Sequence, residues 1–192
     1  MKKISIVLAI IIATVIIAGC KQQASNEPSA LDVIMTRTSI RNFTGDPVSR
    51  EDLETILKAG MAAPTAMNTQ PWRFVVVTDK EKIASTFGQG PRSGAFTTAG
   101  AVIVVCGLSE QMFWFEDCSN AAENILLAAH ALGLGAVWTA GYPAMERIAP
   151  IQTALDIPEN VTPLCIIPVG VPAENPEPKD KWKPENIHWE KW

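Results

Sequence analysis

The stretch EDCSNAAENILLAAHALGLG, residues 116–135, most constrains what this chain can fold into. Ala122, Ile125, Leu126, Ala129 and Leu132 recur at the helical period, and the opposite face is itself rich in Ala and Leu. A helix apolar nearly all round has no side to give to water, so it belongs at the centre of a domain or in an interface. Gly133 and Gly135 stop it. Apolar partners must therefore come from elsewhere in the chain and cover more than one side of this helix.

The rest of the sequence supplies them. SREDLETILKAGMAAP, from Ser49, reads as a helix that Ser49 can cap, with Asp52 at the reciprocal capping-box position. Its Leu53, Ile56, Leu57 and Gly60 form one stripe, and Pro64 ends it. WRFVVVTD (72–79) reads as a buried strand, followed by a helix from near Lys80. Residues 88–100, GQGPRSGAFTTAG, have the glycine content of a mobile loop. Strands follow at 101–107, 136–143 and 163–172, with a helix at 144–155 between the last two. The chain has 192 residues, 47% of them hydrophobic, which suits one α+β domain built around a single sheet. Its tail is Pro-rich and charged yet carries Trp182, Trp189 and Trp192, so it is expected to wrap a surface.

The amino-terminal end reads separately. Lys2 and Lys3 precede an apolar run from Ile4 to Ala18, short for a membrane span and suited to a signal-peptide core. Ile17-Ala18-Gly19-Cys20 resembles the lipobox of bacterial lipoproteins, in which the cysteine is lipidated. Residues 1–19 are then a signal peptide, 20–30 a polar tether and 31–192 the folded domain, exported and lipid-anchored to the bacterial cell-envelope membrane through Cys20. Of the other cysteines, Cys106 and Cys165 lie in strand-like runs, and three thiols cannot all pair within one chain. His130 and His188, the only histidines, have no ligand-spaced partner, so no metal site is expected.

RTSIRNF (37–43) sets Arg37, Ser39 and Arg41 on alternate positions. Two guanidinium forks with a hydroxyl between them suit a bidentate anion, phosphate above all. The formal net charge of −4 offers no broad basic field for nucleic acid, so this cluster acts locally.

Four motifs in order, namely RTSIRNF, APTAMNTQPWRFVVV (63–77), the Ala-rich helix running into HALGLGAVWTAGYP, and VGVPAENPEPKDK, resemble the FMN-dependent nitroreductase family. The resemblance runs from about Asp32 to the carboxy terminus. It implies a nitroreductase-like α+β fold, a central mostly antiparallel sheet flanked by helices, in a domain-swapped-type homodimer with FMN at the subunit interface. By the same resemblance the anion is the FMN phosphate, gripped by Arg37, Ser39 and Arg41 and by Lys179 and Lys181, the last in place of the family's Arg. Pro64, Thr65 and Ala66 would lie along the isoalloxazine edge from the second subunit, with Asn68 hydrogen-bonding the ring or ribityl chain. Backbone amides of Ala140 and Gly141 would face flavin N5 and O4. Read without the resemblance, PKDK is a solvated tail, Asn68 a turn residue and AGYP a strand-end turn.

The implied activity is ping-pong reduction of flat acceptors such as nitroaromatics or quinones at one open flavin face, with no side-chain acid or base assigned. Other branches of the family dehalogenate or break down flavin, and no lid sequence identifies either here. Phe113, Trp114 and Phe115 offer rings for an acceptor to stack on, although packing is the simpler role for at least two of them. NAD(P)H is the donor the resemblance implies. An exported protein is separated from intracellular NAD(P)H, so a membrane quinol or partner flavoprotein is the alternative. The competing class is a lipid-anchored flavin-binding electron-relay protein without a small-molecule substrate of its own.

Overall fold

The structure, a computed structural model, describes residues 28–90 and 93–192. The lipobox, Cys20, residues 1–19 and most of the tether lie outside the described residues. The helices are α1 (Ala30–Thr36), α2 (Arg50–Met61), α3 (Lys80–Phe87), α4 (Ser93–Thr97), α5 (Trp114–Ala131) and α6 (Met145–Ala154). The strands are β1 (Trp72–Val77), β2 (Ala101–Leu108), β3 (Gly135–Ala136), β4 (Thr139–Ala140) and β5 (Val161–Gly170). Side chains of Ser29, Ser49 and Asp79 cap α1, α2 and α3 by accepting from backbone amides of the first turn. At Ser49 the hydroxyl also donates to Asp52, 2.7 Å away.

All strand pairs are antiparallel, in the order β1-β2-β5-β3, with β4 pairing β5 on the same edge as β3. The two-residue alternation along β2 divides the core. Ala101, Ile103 and Val105 face α2 and α5, whereas Val102, Val104 and Cys106 face α3, α4 and α6. This is the α+β fold expected, and α5 takes the central place its apolar surface requires, with Ala121, Ala122, Ile125 and Ala129 fully buried. Gly60 brings α2 onto α5: a Cβ there would stand 2.9 Å from Ile125 Cγ1.

Three segments depart from the sequence expectation. Residues 88–100 contain α4, because Phe96 is apolar enough to bury its ring against Phe87, centroids 5.4 Å apart. The strand expected at 136–143 is broken into β3 and β4, with Val137 and Trp138 between them. Gly135, expected to stop α5, opens β3 instead; a Cβ there would stand 2.7 Å from Ile40 Cβ, so only glycine admits the neighbouring segment. The tail's tryptophans do not pack on their own protomer as expected: Trp182, Trp189 and Trp192 are 72%, 81% and 98% exposed. Cys106, Cys118 and Cys165 are buried free thiols.

Candidate functional site

Residues 37–44 run between two parts of the sheet edge. Ile40 donates its amide to the Ala136 carbonyl of β3 (3.0 Å), and Thr44 donates to Val171 just beyond β5 (3.0 Å). Ala173 in turn donates to Asn42 (2.9 Å), and Phe43 bridges Pro172. The chain leaving β5 is thus laid alongside the basic segment. Glu174 secures the crossing. Its Oε1 accepts from the Arg41 and Asn42 amides, and its Oε2 accepts from Asn42 Nδ2 at 2.8 Å. The Arg41 amide, helped by Asn42 and opposed by partial burial, holds the Glu174 carboxyl below the usual carboxylate range.

This crossing delivers Lys179 and Lys181 to Arg37. A cavity of about 390 Å³ is lined by Arg37, Ser39, Arg41, Glu177, Lys179 and Lys181. The five cavity residues expected from sequence are therefore brought together from both ends of the domain. Arg37 caps the end of α1, and its Nε lies 3.4 Å from Glu123 Oε1 on α5. Arg41 folds back so that Nη1 donates to the Ser39 carbonyl (3.4 Å). Four cations around one space attract a multivalent anion, and two of them are forks that can orient it. Beside Arg37, Thr36 Oγ1 stands 2.9 Å from His130 Nε2. Burial, then the charge of Arg37, lowers the His130 pKa, so the imidazole stays neutral beside the cradle.

Two further cavities adjoin. One of about 360 Å³ shares Arg41 and is lined by Asn42, Ala95, Trp138 and Thr139. The next, about 500 Å³, shares Thr139 and adds Ala140, Phe87, Phe96 and Arg147. A basic cradle therefore leads, by way of the break between β3 and β4, to a cleft with an apolar floor. That is room for an elongated ligand with an anionic end and a flat apolar end.

Other expected site residues sit differently. Gly141 donates its amide to the Leu164 carbonyl (3.0 Å), so that N–H is committed to the sheet and is no free donor for a flavin. A Cβ on Gly141 would stand 2.8 Å from Ile148 Cγ2, which gives the glycine a packing reason. Ala140 is exposed at the end of β4 and lines the third cavity. Pro64, Thr65, Ala66 and Asn68 line none of these three cavities; the Ala66 amide donates instead to buried Asp117 at the start of α5 (3.0 Å). Met67, Asn68 and Gln70 there adopt φ of 52°, 56° and 49°, a left-handed run that costs energy and presents Met67 to solvent. Trp114, offered by the sequence as a stacking surface, is a core residue, 8% exposed and lodged over Gly107. Phe113 and Phe115 remain exposed, and the Phe115 ring centroid lies 6.0 Å from that of Tyr142. Glu174, Glu123 and Asp117 were missed from sequence; each acts through a partner more than fifty residues away or on another element, and no local spacing signals that.

The fold and cradle define an α+β protein with a basic cavity at one sheet edge, suited to an anionic ligand. The profile of the Nitroreductase family matches residues 34–90 and 86–171. A candidate NADH dehydrogenase/NAD(P)H nitroreductase of Methanothermobacter thermautotrophicus is 44% identical over 166 residues, covering 84% of this chain and 87% of that protein. A crystal structure bearing the same description, from Bacteroides thetaiotaomicron, superposes with a TM-score of 0.82 at 42% identity, over 86% of this chain and 99% of the other. An FMN-dependent nitroreductase from Clostridium difficile superposes with a TM-score of 0.78 at 29% identity, over 84% and 99%. The chain belongs to the nitroreductase family.

Proposed function

We propose that this chain is an FMN-dependent oxidoreductase that takes reducing equivalents from NAD(P)H and passes them, by ping-pong turnover, to flat acceptors such as nitroaromatics or quinones. The observation that carries the reading is the meeting of Arg37, Ser39, Arg41, Lys179 and Lys181 around one cavity. A phosphate monoester carries between one and two negative charges near neutrality, and two forks with two ammonium groups offset that charge. Without an anion the same four cations would repel one another, so the cradle favours a phosphorylated flavin over an uncharged one. The residues present fit FMN, and FMN is the cofactor named for the Clostridium difficile relative. Bound FMN supplies the electron chemistry. The chain supplies binding and orientation: cations at one end, then Asn42, Trp138 and Thr139, then Ala140 at the mouth of the apolar cleft.

The working unit in this reading is a homodimer. Pro64, Thr65, Ala66 and Asn68 share no cavity with the cradle of their own protomer, so a role for them at the flavin requires a second copy. Leu31, Ile34 and Met35 on α1 and the three tail tryptophans are exposed and suit burial between copies. The lipobox supports an envelope location, with lipidated Cys20 as anchor. The relatives' descriptions support NAD(P)H as donor, whereas that location separates the protein from the cytoplasmic pool.

One assay addresses donor and acceptor together. Protein beginning after Cys20, loaded with FMN and held under argon, is mixed with NADH or NADPH and then with a nitroarene or a quinone. The expected result is loss of flavin absorbance followed by fast, saturable reoxidation. Reduction by a quinol alone would replace NAD(P)H as donor. Reoxidation by no small acceptor would overturn the enzyme reading in favour of an electron relay.

A further inference from the structure

The cradle takes its cations from two distant stretches, and the only carboxylate joining those stretches among the described residues is Glu174. Lys179 and Lys181 lie five and seven residues beyond it, in a tail with no helix or strand before Pro184. Among the described residues, no side-chain hydrogen bond or ion pair ties Lys179 or Lys181 to the domain. The backbone pairs at 42–44 with 171–173 set the direction of the tail, and Glu174 is the last residue held before the lysines. An acidic side chain so close to an anion site would oppose the anion. Here its oxygens accept from three N–H groups, which occupy them and spread the charge onto the Arg41–Asn42 backbone.

We propose that Glu174 is a positioning residue for the phosphate cradle, a latch that fixes the exit of the carboxy-terminal tail so that Lys179 and Lys181 face Arg37 and Arg41. This rests on the reading of that cavity as the FMN phosphate site. Without the latch the lysines still carry their charge but sample many places, and ordering them must then be offset by the ligand's binding energy. Because three donors hold its carboxyl below the usual carboxylate range, the latch stays closed at neutral and mildly acidic pH.

The test compares FMN with riboflavin, which lacks the phosphate, by flavin-fluorescence titration of wild type, Glu174→Ala, Glu174→Gln, Lys181→Ala and the Glu174→Ala/Lys181→Ala double variant. Wild type is expected to prefer FMN. Glu174→Ala is expected to weaken FMN about tenfold while leaving riboflavin affinity unchanged, the loss of a charge-assisted set of hydrogen bonds. Glu174→Gln, which keeps one acceptor oxygen, should lose less. The salt dependence of FMN affinity should become shallower in Glu174→Ala, since fewer cations reach the phosphate. Lys181→Ala should cost much in wild type and little in the Glu174→Ala background. Equal loss of FMN and riboflavin, or full additivity with Lys181→Ala, would overturn the latch. A wild type with no preference for FMN would instead overturn the phosphate reading beneath it.

Discussion

Arg37 Nε and Glu123 Oε1 stand 3.4 Å apart, joining the end of α1 to the middle of α5. The pairing occupies the Nε side of the guanidinium and leaves its two Nη groups for the cavity. Arg37 is thereby aimed by a helix that is itself fixed in the core. Glu123→Gln should weaken FMN binding by less than about 1 kcal/mol, the range for partly exposed pairs, without changing the melting temperature. Isothermal titration beside thermal unfolding checks it; a larger loss of stability than of affinity would make the pair structural.

Arg41 and Lys181 come from opposite ends of the domain and line one cavity. Changing either to Ala should weaken FMN binding by about 1.5–3 kcal/mol, the range for hydrogen bonds to charged groups. The double variant should lose less than the sum, because groups sharing one ligand couple. Lys181→Ala with unchanged affinity would show the tail to be a solvated surface.

Gly135 should be intolerant in a specific way. A Cβ there would stand 2.7 Å from Ile40 Cβ, in the segment that carries the cradle. Gly135→Ala is expected to destabilise the fold by about 1–3 kcal/mol, as overpacking does, and to weaken FMN by displacing residues 37–41. Gly107→Ala, whose Cβ would stand 2.6 Å from Trp114 Cε3, should cost stability alone. Denaturant titration and flavin affinity, measured on both variants, separate the two effects.

The buried thiols predict an alkaline limit. Burial, then neighbouring charge, pushes Cys106 and Cys118 from the ordinary 9.0 up to about 12, and burial raises Cys165 as well. Below pH 9 these thiols are protonated in both folded and unfolded chains and change nothing. Above it the unfolded chain ionises while the folded one does not, so stability falls from about pH 9 towards 12. Cys118→Ala should fall less steeply over that window in denaturant titrations. Thiol reagents should label the native protein slowly and the unfolded protein at once.

Deleting residues after Lys183 removes Trp189 and Trp192, both exposed in the protomer. Dimer dissociation and FMN release are expected together in sedimentation with absorbance at the flavin band. A full-length, flavin-loaded monomer would contradict the dimeric reading.

Much of the fold was legible because its elements are local. The periodicity of α5, the cap at Ser49 and the continuous apolar runs of β2 and β5 are fixed by neighbours within a few residues, which is what sequence spacing records. The basic motif was legible for the same reason, and Lys179 and Lys181 were added to it by resemblance. The chain order of residues 136–143 looked like one strand, but tertiary contacts broke it. Ile40 lies against Gly135, β5 pairs with the two halves separately, and Trp138 lines the cavity between them. Phe96 likewise turned a glycine-rich stretch into α4 through a contact with Phe87. Trp114 went to the core because Gly107, on another element, leaves space for its ring. Glu174, Glu123 and Asp117 were silent in sequence because a carboxylate's spacing says nothing about which distant N–H group it will meet. Local spacing specified the caps, the helical periods, the continuous strands and the chemistry of the basic motif; the broken strand, α4 and the set of charges that share one space depend on contacts between residues far apart in the chain, which tertiary structure alone supplies.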